Sequence, residues 1–131
     1  MKNLLDRIRA EPQFAALEAQ IAQGASPIQL GLMRAARLPV MAALAERLAR
    51  PILLLSQRRD RTLAQFEELN LWSPEAERFF FPEPSALFYE KAPWSETARR
   101  ERLAVLARLA TPEANKAPVI MASARALMTR T

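Results

Sequence analysis

Pro51-Ile52-Leu53-Leu54-Leu55-Ser56 is the stretch on which the fold turns. It is apolar on both faces of a pleat, as a parallel strand buried between two layers of helices has to be. Reading outward from it, Arg78-Phe79-Phe80-Phe81 and Pro118-Val119-Ile120-Met121-Ala122 have the same character. Pro27 to Leu30 reads as a fourth, short apolar strand. Between these runs the apolar spacing lengthens to that of helices. Met33, Ala36, Val40, Leu44 and Leu48 fall at near-helical intervals. Leu63, Phe66 and Leu69 form the buried face of a helix capped by Asp60 or Thr62. Leu103, Leu106 and Leu109 form the stripe of a helix capped by Ser95, and Ser123 caps a last short helix through Leu127.

Two helices precede this alternation. Leu4, Leu5 and Ile8 suggest the first, which Glu11-Pro12 interrupts, because the residue before a proline avoids the helical region. Pro12 suits the first position of the second helix, Phe14, Leu17 and Ile21 give its apolar face, and Gly24 stops it. Pro39 is harmless only in a first helical turn, and otherwise a kink is expected in its helix. Pro74, Pro82, Pro84 and Pro93 mark an ordered loop region, with a long loop from Pro82 to Trp94. The predicted class is α/β, a parallel sheet with helices on both faces. Residues 1–131 read as a single domain, with an N-terminal helical segment over 1–24 and the α/β unit over 25–131.

Composition narrows the chemistry. The 131 residues carry 19 Lys+Arg against 14 Asp+Glu, a net charge of +5, and no Cys or His. Disulfides, thiolate metal sites and histidine-based catalysis are therefore excluded within this chain. No apolar run approaches the ~20 residues that a membrane span requires. The N-terminus is charged too early for a secretory signal, so a cytoplasmic location is expected.

The stretch from Pro27 to Ala49 has the layout of a phosphate-binding P-loop, a strand, a tight turn and a helix. A working P-loop needs glycines to bring backbone N–H groups around a phosphate, a Lys for the β/γ oxygens and a Ser/Thr for Mg²⁺. The turn here is Gly31-Leu32-Met33-Arg34-Ala35-Ala36-Arg37. Arg34 stands where a second glycine is needed and Ala36 has no hydroxyl, so Gly31, Arg34, Ala35, Ala36 and Arg37 read as a vestigial P-loop with no cofactor. Arg37, at the start of the helix, is expected to fill the vacant phosphate position with its own charge.

The chain resembles the N-terminal, UvrB-like domain of bacterial transcription-repair coupling factors (Mfd). Gly31 to Arg37 matches a family turn of the form Gly-Leu-Thr-Gly-Ser-Ala-Arg, and Pro51 to Leu55 a strand that opens with Pro. Phe81-Pro82 followed by Leu87-Phe88-Tyr89-Glu90-Lys91-Ala92-Pro93 is similar to the family's Phe-Pro and Leu-Pro-Tyr-Glu-x-x-Ser-Pro. Arg102-Leu103 and Val119 to Met128 match the closing helix, strand and helix. Arg34, Pro39 and Phe88 depart from the pattern.

The resemblance implies a piece of a longer protein. In that family a C-terminal motor translocates on double-stranded DNA, removes stalled RNA polymerase at damage and recruits UvrA for nucleotide excision repair. ATP and Mg are then confined to the motor, and this segment is a structural, interaction and autoinhibitory module without catalytic residues. UvrA, RNA polymerase and DNA are engaged through the full-length protein. The alternative is a stand-alone nucleotide- or DNA-binding α/β domain.

Other residues invite function and have a plainer reading beside it. Phe79-Phe80-Phe81 could stack bases, but a strand position puts them in the core. Tyr89 and Glu90 could handle DNA, but packing over the sheet edge and an exposed ion pair account for them. Arg58-Arg59-Asp60-Arg61 and Arg99-Arg100-Glu101-Arg102 could meet phosphates or an acidic protein, but each contains an acid and reads as a solvated face.

Overall fold

A computed structural model describes residues 2–48, 50–84, 94–111 and 117–130. Three N-terminal helices, α1 (Lys2–Ala10), α2 (Pro12–Ala22) and α3 (Arg34–Arg47), lead into β1 (Ile52–Ser56). Then follow α4 (Arg59–Trp72), β2 (Arg78–Phe81), α5 (Glu96–Ala110), β3 (Val119–Ser123) and α6 (Ala124–Met128). The strands form one parallel sheet in the order β1-β3-β2, with Ile52 and Arg78 both level with Val119.

The central strand β3 is buried along its whole length and divides the core by parity. Val119 and Met121 join Leu5, Phe14, Leu38, Met41 and Leu69 on the face covered by the first four helices. Ile120 and Ala122 join Phe81, Val105 and Ala126 on the face covered by α5 and α6. The chain steps from β1 across β3 to β2 through α4 and back to β3 through α5. Two right-handed crossovers running in opposite directions have to lie on opposite faces, as these do. Leu5 and Phe14 place α1 and α2 in the same core as the sheet. Arg9 pairs with Glu46, which also accepts from Ser73 Oγ at 2.8 Å, and Arg47 pairs with Glu18 at 3.0 Å.

Several local expectations hold. Pro12 opens α2, and Gly24 sits just past its end at φ 76°, a left-handed position that a side chain would strain. Ser95 accepts from the Ala98 N–H at 3.2 Å and Ser123 from the Ala126 N–H at 3.1 Å, so both are caps. Phe81 is buried, Phe79 packs beside it, and Phe80 meets Phe66 edge-on on the opposite face with ring centroids 6.1 Å apart.

Other expectations fail for identifiable reasons. Pro27 to Leu30 is not a strand. Its proline lacks an N–H, and the segment runs beside α1 and α2, where Gln29 and Leu30 help line a groove with Ile8, Phe14 and Leu17. Neither Asp60 nor Thr62 caps α4, which begins at Arg59. Thr62 instead donates its hydroxyl to the Arg58 carbonyl at 3.0 Å. Pro39 lies inside α3, beyond the first turn, and leaves the Ala35 carbonyl without its usual i+4 donor.

The helix faces also differ. On α5 the sheet-facing residues are Ala98, Arg102 and Val105, while Leu103, Leu106 and Leu109 are exposed. On α3 the buried set is Leu38, Pro39, Met41, Ala42 and Ala43, and Met33 lies exposed before the helix. Leu63 is exposed on α4. β1 itself is buried on one face only, because it is an edge strand: Leu53 is 48% exposed and Leu55 53%.

Candidate functional site

In parallel α/β sheets, ligand crevices open beyond the strand C-termini, where neighbouring strands send their connections to opposite faces. That condition is met between β1 and β3. β1 feeds α4 on one face and β3 feeds α6 on the other, with Ser56 level with Ser123 at the rim. Beyond β1, between the first turn of α3 and the N-terminal half of α4, lies a cleft of about 550 Å³. Arg34, Ala35, Arg37 and Leu38 form its α3 wall, Arg61, Ala64, Gln65 and Glu68 its α4 wall, and Leu55, Ser56 and Gln57 its floor. An adjoining hollow shares Arg34, Gln57, Arg61 and Ala64 and adds Arg58 and Asp60.

Charge in the cleft is mostly positive. The guanidinium groups of Arg34 and Arg61 make no hydrogen bond or ion pair among the described residues, and that of Arg37 reaches only the Leu32 carbonyl, Nε to O 3.4 Å. Arg58 pairs with Asp60 at 3.1 Å. Slight desolvation pushes the Asp60 carboxyl up, but the Arg61 and Asp60 N–H groups and the neighbouring Arg58 together hold it below the usual carboxylate range. Glu68 is the carboxylate of the cleft lining itself, and Asp60 belongs to the adjoining hollow. On the floor, Ser56 Oγ donates to Gln65 Oε1. α3 has no side-chain cap and no acid in its first turn. The surroundings therefore supply guanidinium donors and little counter-charge. They suit a carboxylate or phosphate, and they hold no nucleophile–base pair. Among the described residues no group of His, Cys, Asp and Glu is arranged to hold a metal.

The structure divides the predicted site residues. Arg34, Ala35 and Arg37 line the cleft. Ala36 lies half-buried in the same turn outside the lining, and Gly31 lines the separate groove against α1 and α2. The cleft also recruits Gln57 from the connection after β1 and Arg61 and Gln65 from α4, which no reading of the turn alone would bring in. Tyr89 and Glu90 lie outside the described residues.

Arg102 is a correction of a different kind. It sits on no solvated face, being only 2% exposed. Its Nη1 donates to the carbonyls of Pro82 and Ala126, both at 2.9 Å, and its Nη2 to that of Thr129 at 2.7 Å. The guanidinium also stacks 4.0 Å from the Phe81 ring centre and 4.6 Å from that of Trp94. Burial pulls its pKa below the ordinary arginine value. The rest of its cluster is exposed as expected, with Arg100 paired to Glu96 at 2.9 Å.

Comparison of the chain with protein-family models, with curated proteins and with solved structures finds no match. No described helix is long and apolar enough to cross a membrane.

Proposed function

We propose that the chain is a non-catalytic docking module, the UvrB-like N-terminal part of a transcription-repair coupling factor, which restrains an ATP-driven DNA translocase through contacts with neighbouring segments. The observation that carries this reading is the anatomy of α3. A P-loop helix follows directly from a strand through a glycine turn, with a lysine and a hydroxyl reaching the phosphates. α3 instead follows a non-strand segment and opens with Arg34 and Arg37 on a cleft that has no P-loop lysine. The parallel sheet with helices on both faces agrees with the resemblance in class. UvrA, RNA polymerase and DNA are then partners of the full-length protein, and ATP and Mg belong to its motor.

Docking of this kind works by mass action between restrained and released arrangements, not by chemistry. In a coupling factor carrying this segment, deletion of residues 1–131 raises ATPase activity. Unchanged ATPase and DNA binding after that deletion refutes the restraining role.

The arginines of the cleft favour a second reading, a stand-alone nucleotide- or DNA-binding domain. A nucleotide at about a hundredfold excess over its Kd stabilises a protein by about 2.7 kcal/mol, which a thermal-shift assay with Mg-ATP detects. DNA binding through several phosphates has a steep salt dependence. The docking reading expects no shift with Mg-ATP and no such salt-dependent binding.

A further inference from the structure

The edge of β1 and the arginine cleft form one continuous surface. Ile52 N–H donates to the Pro118 carbonyl at 3.0 Å. In a parallel ladder, residues alternate between the two sides of their strand, so Ile52, Leu54 and Ser56 bond β3. The N–H and C=O groups of Leu53 and Leu55 therefore point away from the sheet. No described strand pairs with them. Their side chains lie on the face that α5 and α6 leave uncovered beside β1, each about half exposed. Edge strands normally carry a charge, an internal proline or a bulge that prevents pairing. β1 has none of these, and four aliphatic residues run along its free edge. At its C-terminal end Leu55 becomes part of the floor of the cleft lined by Arg34, Arg37 and Arg61.

We propose that this surface takes an extended, apolar strand that carries acidic residues at one end, added to β1 by backbone pairing with its carboxylates in the arginine cleft. The inference deepens the docking role above and rests on it. Charge selects the occupant. A second copy pairing antiparallel about Leu54 would set Arg50 of one chain against Arg58 of the other at both ends of the paired strands and would bring no acid to either cleft. An acid-ended strand meets complementary charge along the same path, and the guanidinium groups of Arg34 and Arg61 have no other partner among the described residues.

The test uses the chain itself and two synthetic probes. One is a short peptide of alternating valine and threonine with two glutamates at one end, made in both polarities. The other carries lysines in place of the glutamates. Fluorescence anisotropy is expected to show binding of one glutamate polarity, about tenfold or more tighter than the lysine peptide. Hydrogen exchange should slow at the Leu53 and Leu55 amides when the glutamate peptide is bound. The double variant Arg34→Glu, Arg61→Glu, both at exposed positions, should reverse the preference, and Leu55→Lys should weaken both peptides.

Equal affinity for the two peptides, or no binding at millimolar concentration, overturns the proposal. So does glutamate-dependent binding without protection at Leu53 and Leu55, which would leave only an anion site. Concentration-dependent dimerisation abolished by Leu55→Lys would assign the edge to a second copy and equally overturn it. An unchanged ATPase on deletion of residues 1–131 defeats the restraining role while leaving these peptide results to decide the edge.

Discussion

Replacing Arg102 by methionine keeps an unbranched apolar stem and removes the guanidinium. The carbonyls of Pro82, Ala126 and Thr129 then lose donors at 2.7–2.9 Å. A hydrogen bond to a charged group contributes about 1.5–3 kcal/mol, and a buried polar atom left unsatisfied costs about 1–3 kcal/mol. The desolvation of the native guanidinium offsets part of this, because burying a charge costs several kcal/mol even when it is well bonded. The net loss is about 3 kcal/mol or more, a large share of the stability of a small domain. At this chain length about 3–5 °C of Tm accompanies each kcal/mol, so the variant should melt about 10 °C or more below the parent. Arg102→Lys should fall between the two, since an ammonium cannot reach three carbonyls with a planar fork. The assay is urea unfolding followed by circular dichroism, with the m-value checked for constancy. A methionine variant within about 1 kcal/mol of the parent would refute the view that this side chain ties the end of β2 to α6.

Leu69 is fully buried between the sheet and the helices, so Leu69→Ala should cost about 2–5 kcal/mol, whereas Leu106→Ala on exposed α5 surface should cost well under 1 kcal/mol by the same unfolding assay. Ser123→Ala removes the cap of α6 and the acceptor partnership with Ala126, as well as the donor to Glu83 Oε2 at 2.7 Å, and should lower stability by about 1–2 kcal/mol. The Asp60 carboxyl should titrate below the usual aspartate range by carbon-detected NMR, and its midpoint should rise in Arg58→Ala. Because the folded pKa is the depressed one, its contribution to stability is present above the unfolded pKa and is lost as pH falls through the folded one.

The sheet was legible because its strands are short apolar runs bounded by Pro, Ser or charged residues, and β1, β2 and β3 lie where those runs are. What periodicity could not supply was the position of each strand in the sheet. β1 is as apolar as β3, yet it is the edge, and nothing local distinguishes an edge from a centre when the deciding neighbours are distant in sequence. α5 shows the same limit on a helix. Leu103, Leu106 and Leu109 outweigh Ala98, Arg102 and Val105 on any scale of hydropathy, and only the carbonyls of Pro82, Ala126 and Thr129 make an arginine the better core residue. Ala98 and Val105, at i−4 and i+3 from Arg102, were the one local signal for that face. The turn from Gly31 to Arg37 brings Arg34, Ala35 and Arg37 to the cleft, but the cleft also depends on Gln57, Arg61 and Gln65, whose convergence needs the α3–α4 packing.

Two helices begin at that cleft, and both begin with arginines. Arg34 and Arg37 occupy the first turn of α3, and Arg59 and Arg61 that of α4, against Asp60 alone. A helix N-terminus carries partial positive charge, so a cation there is destabilising and an anion stabilising, typically by about 0.3–1 kcal/mol. The free chain thus holds an unfavourable arrangement that an incoming carboxylate would relieve at both helix ends together. Arg34→Glu separates this account from a merely solvated surface. It should raise the melting temperature of the isolated chain, because it places an acid at an uncapped N-terminus, and at the same time weaken capture of the acid-ended peptide. A stabilised variant that binds the peptide unchanged would show that Arg34 is ordinary surface. A destabilised one would show that its side chain makes contacts the free cleft does not require, and the charge argument for the occupant would fall with it.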